Sequence, residues 1–154
     1  MLKAVTRLYL LQTSAFLAVW FSTYFPGLDL LLAVVYLIIV SVEANRLKGF
    51  TRSQILLITV IWQGPAAILS ILVMGNFYFY ALSDNALFLL EFWSTPILPL
   101  LTPLGYVNYF NKPLYYYILI AMPCLLALYY YILGIMTNCL KTSQNVKIKH
   151  PPDV

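Results

Sequence analysis

Glu91 is an acidic residue inside an otherwise apolar run. If that run enters the membrane near residue 84, its carboxylate lies about 9–10 Å deep on a helix. Burying a carboxylate there is expensive, so such residues tend to face a cavity, a partner or an ion path. Two chemistries fit. Glu91 could gain and lose a proton as a gate, or it could bond one helix to another through Gln63 or Gln12. A second candidate is the triplet Gln63-Gly64-Pro65 in another apolar run. Proline lacks an N–H and clashes with the preceding turn, so a kink or break is predicted near residues 61–64. Carbonyls freed that way can coordinate ions or polar substrates, as in discontinuous transporter helices. Gly and Pro are also ordinary in membrane helices, where they only bend the chain. Pro96, Pro99 and Pro103 carry the same two readings. The candidates for an ion or substrate pathway are therefore Glu91, Gln63, Gly64, Pro65, Pro96 and Pro99.

Enzyme chemistry is not expected. The chain has no Gly-x-Ser-x-Gly, no His-Glu-x-x-His, no glycine-rich phosphate loop and no paired aspartates within an apolar run. Its one histidine, His150, lies in the C-terminal tail, so neither a metal site nor a haem held by two histidines is predicted, and no cofactor is implied. Cys124 and Cys139 fall 15 residues apart on one expected helix, about 22 Å, which is too far for a disulfide.

The elements that must position these residues are membrane helices. Of 154 residues 62% are apolar and 9% charged, against about 25% charged in a water-soluble domain. About 20 apolar residues cross a bilayer core as a helix. Apolar segments at about 8–25, 28–44, 55–82, 86–104 and 114–137 predict an all-α, polytopic transmembrane bundle with four to five membrane segments. The segment at 86–104 is broken by its prolines. Residues 1–140 form one integral membrane domain, followed by a polar, basic tail at 141–154 that is expected to be disordered unless bound. The first segment reads as an uncleaved span, with Gln12, Thr13 and Ser14 marking a side that packs on protein. Pro26, Gly27 and Asp29 suggest a tight turn, and residues 83–85 a second turn that caps the next helix. The run at 55–82 is too long for one straight span, so an interfacial end is expected at 76–80. Tyr115-Tyr116-Tyr117 and Tyr129-Tyr130-Tyr131 suggest aromatic belts at opposite interfaces.

Charge placement bears on the number of crossings. Lys3, Arg7, Arg46, Lys48 and Arg52 flank an even number of spans and point to a cytoplasmic N-terminus. Five full spans would put Lys112 inside and the tail lysines outside. If residues 86–104 re-enter without crossing, the tail is inside and only Lys112 is outside. The excess of Lys and Arg in cytoplasmic loops favours re-entry and a cytoplasmic C-terminus. Broken backbone is tolerated there only if protein shields it. The net charge of +4 is read as topology and lipid contact, not nucleic acid. Multi-pass insertion, most simply in the cytoplasmic membrane, makes the lipid bilayer and other membrane proteins, or further copies of the chain, the expected partners. The expected function is that of an accessory or structural membrane subunit. The alternative is an oligomeric channel or carrier for ions or small solutes, with Glu91 and the broken segments lining the path.

Overall fold

The computed structural model describes residues 1–22, 24–25, 27–74, 80–109 and 112–149, with side chains described outside 80–83, 109 and 139–149. Among these residues the helices are α1 (Leu2–Ser22), α2 (Leu28–Asn45), α3 (Arg52–Met74), α4 (Tyr80–Ser94), α5 (Leu98–Leu101) and α6 (Leu114–Lys149). A 3-10 turn (Thr102–Tyr106) follows α5, and a two-residue antiparallel ladder pairs Asn108 with Pro113 and Tyr109 with Lys112. The helices α1, α2, α3 and the 114–138 part of α6 are long and apolar enough to cross a membrane. Residues 84–94 and 98–106 form a pair bent by 105°. The chain is thus an all-α bundle of four membrane segments, or five if the bent pair counts as one.

Each crossing helix is largely apolar and buries one stripe. On α1 the buried residues are Ala4, Val5, Leu8, Gln12, Val19 and Ser22, while Leu10, Leu17 and Phe21 stay exposed. On α2 they are Ala33, Tyr36, Val40, Glu43 and Ala44. This is helical spacing, with the outward side chains left for lipid. Two apolar clusters form the interior. One joins Leu8, Tyr36, Val40, Trp62 and Tyr130, and the other joins Ala66, Val73, Leu90 and Leu119. Trp93 packs against both.

Loop chemistry fixes how α2 turns into α3. Gly49 adopts φ 92°, a left-handed conformation that suits glycine. Thr51 Oγ1 accepts from the Gln54 N–H at 3.3 Å, and Gln54 Oε1 accepts from the Thr51 N–H at 3.0 Å. That reciprocal pair satisfies two N–H groups at the start of α3. Asn138 of α6 holds the same loop, accepting from Gly49 N–H at 2.9 Å, while Thr137 donates to Asn45 Oδ1 at 2.7 Å.

These contacts orient the bundle. The 134–138 end of α6 lies beside Leu47, Gly49 and Ile55, whereas Tyr116 and Ile120 lie beside Ser70 and Met74. Helices α3 and α6 therefore run antiparallel. Arg7 meets Glu43, which adds the start of α1 and the end of α2 to the first end. Segment 80–113 leaves from one end of the bundle and returns to that same end, as a re-entrant segment does. Lys3, Arg7, Arg46, Lys48 and Arg52 share the other end, and α6 continues from there through Lys141 to Lys149.

Several boundaries differ from the sequence reading. Helix α4 begins at Tyr80, so Asp84 and Asn85 lie within it instead of capping it. The expected turn at Pro26 and the interfacial end at 76–79 lie outside the described residues, while Gly27 has the left-handed φ of 85° that a reversal needs. The backbone of α6 stays helical to Lys149, past the expected end at 137; no Gly or Pro interrupts 135–149. Tyr130 is not part of an interfacial belt. It is 1% exposed and meets Trp62 edge-on at 5.4 Å, while Tyr129 shares a 2.6 Å hydrogen bond with Ser41.

A Cβ built at Gly134 would approach Ile55 Cγ2 at 3.0 Å and Leu47 Cδ1 at 3.3 Å. Gly134→Leu is expected to destabilise the α3/α6 contact by about 1–3 kcal/mol, seen as a lower unfolding midpoint in detergent. Gly64→Leu, where nothing lies within 4 Å, serves as the control. For topology, single cysteines at residues 48 and 145 are expected to react with a membrane-impermeant maleimide from the same side. Labelling of the two from opposite sides would remove the re-entrant arrangement.

Candidate functional site

Helix α3 passes through Pro65 without a break, so of the kink or break expected from Gln63-Gly64-Pro65 the break is absent. The physical reason lies on α1. Pro65 offers no N–H to the carbonyl of Ile61 one turn earlier. Tyr9 fills that place, its hydroxyl donating to Ile61 O at 2.8 Å. No mid-helix gap opens, and the freed carbonyl is satisfied from the neighbouring helix.

The real break falls between α4 and α5, where Pro96 is buried and Pro99 half-buried. Ile97 N–H turns back to Ser94 O at 2.8 Å, so the chain leaves the helical path. Trp93 O at the end of α4 accepts from Gln12 Nε2 at 2.6 Å. Gln12 Oε1 in turn accepts from the Tyr36 hydroxyl at 2.5 Å. Both side chains are buried, at 6% and 2% exposure. A single amide thus joins α1, α2 and the tip of the bent segment. Around it Tyr9 meets Trp93 edge-on at 5.9 Å, and Phe16 packs on Phe92 with ring centroids 4.0 Å apart.

Glu91 lies less than one turn before the break and is half-buried. The hydroxyl of Tyr115, at the start of α6, donates to Glu91 Oε1 at 3.0 Å. Its described partner is Tyr115, not Gln63 or Gln12. The bond spans two elements and ties the inbound arm of the bent segment to the helix that follows it.

Gln63 is 2% exposed, and neither Oε1 nor Nε2 of its amide has a hydrogen-bond partner among the described residues. The indole N–H groups of Trp62 and Trp93 are likewise buried and unpartnered. Each such group costs about 1–3 kcal/mol when nothing satisfies it. Gly64 is half-buried and Pro65 is exposed on the outside of α3. The structure therefore puts Glu91, Pro96 and Pro99 on the bent segment and Gln63 inside the core, and leaves Pro65 facing outwards.

Sequence reasoning missed Glu43. As a residue near a helix end it reads as a solvated cap, yet it is 9% exposed. Its carboxylate holds Arg7 Nε at 3.2 Å and Arg46 Nη1 at 2.6 Å, locking α1 onto α2. The spacing Glu43 to Arg46 is a helical pair, and that was the available signal. Tyr9 and Tyr36 left no signal, because a tyrosine in an apolar run does not declare its partner. Among the described residues, no group of three or more His, Cys, Asp or Glu side chains converges as metal ligands would.

Comparison of the chain with protein-family models, with curated proteins and with solved structures returns no match.

Tyr9→Phe is expected to lower stability in mixed micelles by about 0.6–1.7 kcal/mol, the range of interhelical hydrogen bonds in membranes. Gln12→Leu is expected to lose more, since it strands Trp93 O and the Tyr36 hydroxyl together. Glu43→Gln is expected to lose about 1–3 kcal/mol, because the half-exposed guanidinium groups screen part of the pairing. Equal, near-zero losses in all three would show that these bonds do not hold the bundle.

Proposed function

We propose that this protein is an accessory or structural subunit of a membrane assembly, acting through helix–helix contacts with partner membrane proteins or with further copies of itself. One observation carries this reading. Polar groups on Tyr9, Gln12, Tyr36, Glu43 and Glu91 bond across helices and hold the bundle together. Groups used in this way make a rigid body whose outward faces, such as Leu10, Leu17, Phe21, Leu31 and Ile38, are apolar and free to meet another helix. In this reading the end bearing Arg7, Arg46 and Arg52 faces the cytoplasm, following the placement of basic residues, and the cytoplasmic membrane is the site of action. The protein performs no catalysis of its own.

A second reading draws on Gln63. Its buried amide, unpartnered among the described residues, favours an oligomeric channel or carrier in which a polar solute meets Gln63 and Glu91.

Two measurements separate the readings. In mild detergent the accessory reading expects a stoichiometric partner, or a defined homo-oligomer, to co-purify. It also expects Gln63→Leu to leave the unfolding midpoint unchanged or raise it, since an apolar replacement removes an unsatisfied amide. The carrier reading expects ion or proton flux in proteoliposomes that falls at least tenfold in Glu91→Gln and in Gln63→Leu. Monomeric protein without a partner, together with such flux, would overturn the accessory role.

A further inference from the structure

A groove of about 720 Å3 lies between α3 and the first half of α6. Its walls include Ile71 and Met74 from α3, and Ala121 and Cys124 from α6. Ile71 and Met74 are 68% and 67% exposed, so the groove opens on the flank that faces lipid. Ser70 is a polar residue of the wall, but its hydroxyl donates to Ala66 O at 3.1 Å, which leaves the surface apolar in effect. From Tyr116 to Cys124 the groove follows nine residues of α6, a rise of about 12 Å. That is close to half of a hydrocarbon core about 30 Å thick, the depth of one leaflet.

The mouth carries a charge. Lys112 lines the groove at the end where α6 starts, its Nζ 4.0 Å above the Tyr116 ring. The ladder pairing of Lys112 with Tyr109 holds its backbone in place. Between Arg52 and Lys141 the sequence contains no other Lys or Arg, so Lys112 is the one basic residue of this stretch. Among the described residues it makes no ion pair.

We propose that this groove is a binding site for one phospholipid with an anionic headgroup. The phosphate sits against the Lys112 ammonium, and an acyl chain runs past Met74, Ile71 and Ala121 towards Cys124. Length selects this occupant over a partner helix. A spanning helix needs contact across the whole core, whereas the groove covers one leaflet. The cation at the interfacial end and apolar walls below it complement an anionic lipid in charge and in polarity. The site is independent of the accessory role, since it uses neither Glu91 nor the bonds of Gln12.

Native mass spectrometry of the full chain in detergent, titrated with palmitoyl-oleoyl phosphatidylglycerol or with phosphatidylcholine of the same chains, tests it. One phosphatidylglycerol is expected to bind in preference to phosphatidylcholine. Lys112→Gln is expected to weaken phosphatidylglycerol about fivefold and phosphatidylcholine, whose choline offsets the phosphate charge, by less. Ala121→Phe, at an exposed position, is expected to fill the slot and weaken both lipids, with Met74→Trp as a second filling variant should the first fail to fold. Lys48→Gln, at the opposite end of the bundle, is expected to change neither. Equal affinity for the two lipids, no effect of Lys112→Gln, or undiminished binding in both filled variants would overturn the proposal. So would loss of self-association in the filled variants with lipid binding intact, since the groove would then seat a helix.

Discussion

A backbone that turns round inside hydrocarbon leaves carbonyl groups with no water to satisfy them, and each one unsatisfied costs several kcal/mol. In this protein the turn between α4 and α5 faces that penalty at Trp93 O, and the amide of Gln12 meets it. The same amide accepts from Tyr36, so the group that permits the bent segment also fixes α1 against α2. Pro65 poses a smaller version of the problem, and Tyr9 on the same face of α1 answers it at Ile61 O. Two prolines on different elements are thus reconciled with lipid by one helix. The re-entrant arrangement depends on α1 being where it is, and α1 carries the polar groups at the spacing that reaches both sites.

The bundle is held differently at its two ends. Where the basic residues gather, Glu43 draws Arg7 and Arg46 together, and Asn138 and Thr137 bind the loop between α2 and α3 to α6. At the far end the ties are Tyr115 to Glu91 and the aromatic contact of Phe16 with Phe92. A carboxylate that can be read as a gate is there engaged in joining the bent segment to α6. This shared use of polarity for cohesion gives the accessory role its physical basis, because a body stiffened from within can offer apolar faces to a partner without rearranging. The groove between α3 and α6 adds a lipid to the same picture, placed at the end where Lys112 stands alone among tyrosines.

Much of the architecture was legible in the sequence because lipid imposes a coarse rule. The length of an apolar run sets a crossing helix, so α1, α2, α3 and the apolar part of α6 follow from residue type alone. The cluster Pro96, Pro99 and Pro103 marked the broken segment correctly. The distribution of Lys and Arg favoured a segment that returns to its own side, which is the path the chain takes. The triplet Gln63-Gly64-Pro65 marked a carbonyl that loses its partner but not the neighbour, Tyr9, that supplies another. Tyr129-Tyr130-Tyr131 misled: aromatic rings suit an interface and a core equally, and Trp62 decided the matter for Tyr130.

Composition and run length by themselves determined the solvent, the helical class, the number of long spans and the place where one segment must break. Tertiary structure alone decided which polar side chain meets which orphaned group, and hence that Glu91 pairs with Tyr115, that Glu43 is buried, and that α3 stays whole. The reason is one of range. Helix formation and burial in lipid depend on residues close in sequence, whereas Tyr9 with Ile61, or Gln12 with Trp93, joins atoms from helices whose approach depends on how all the spans pack.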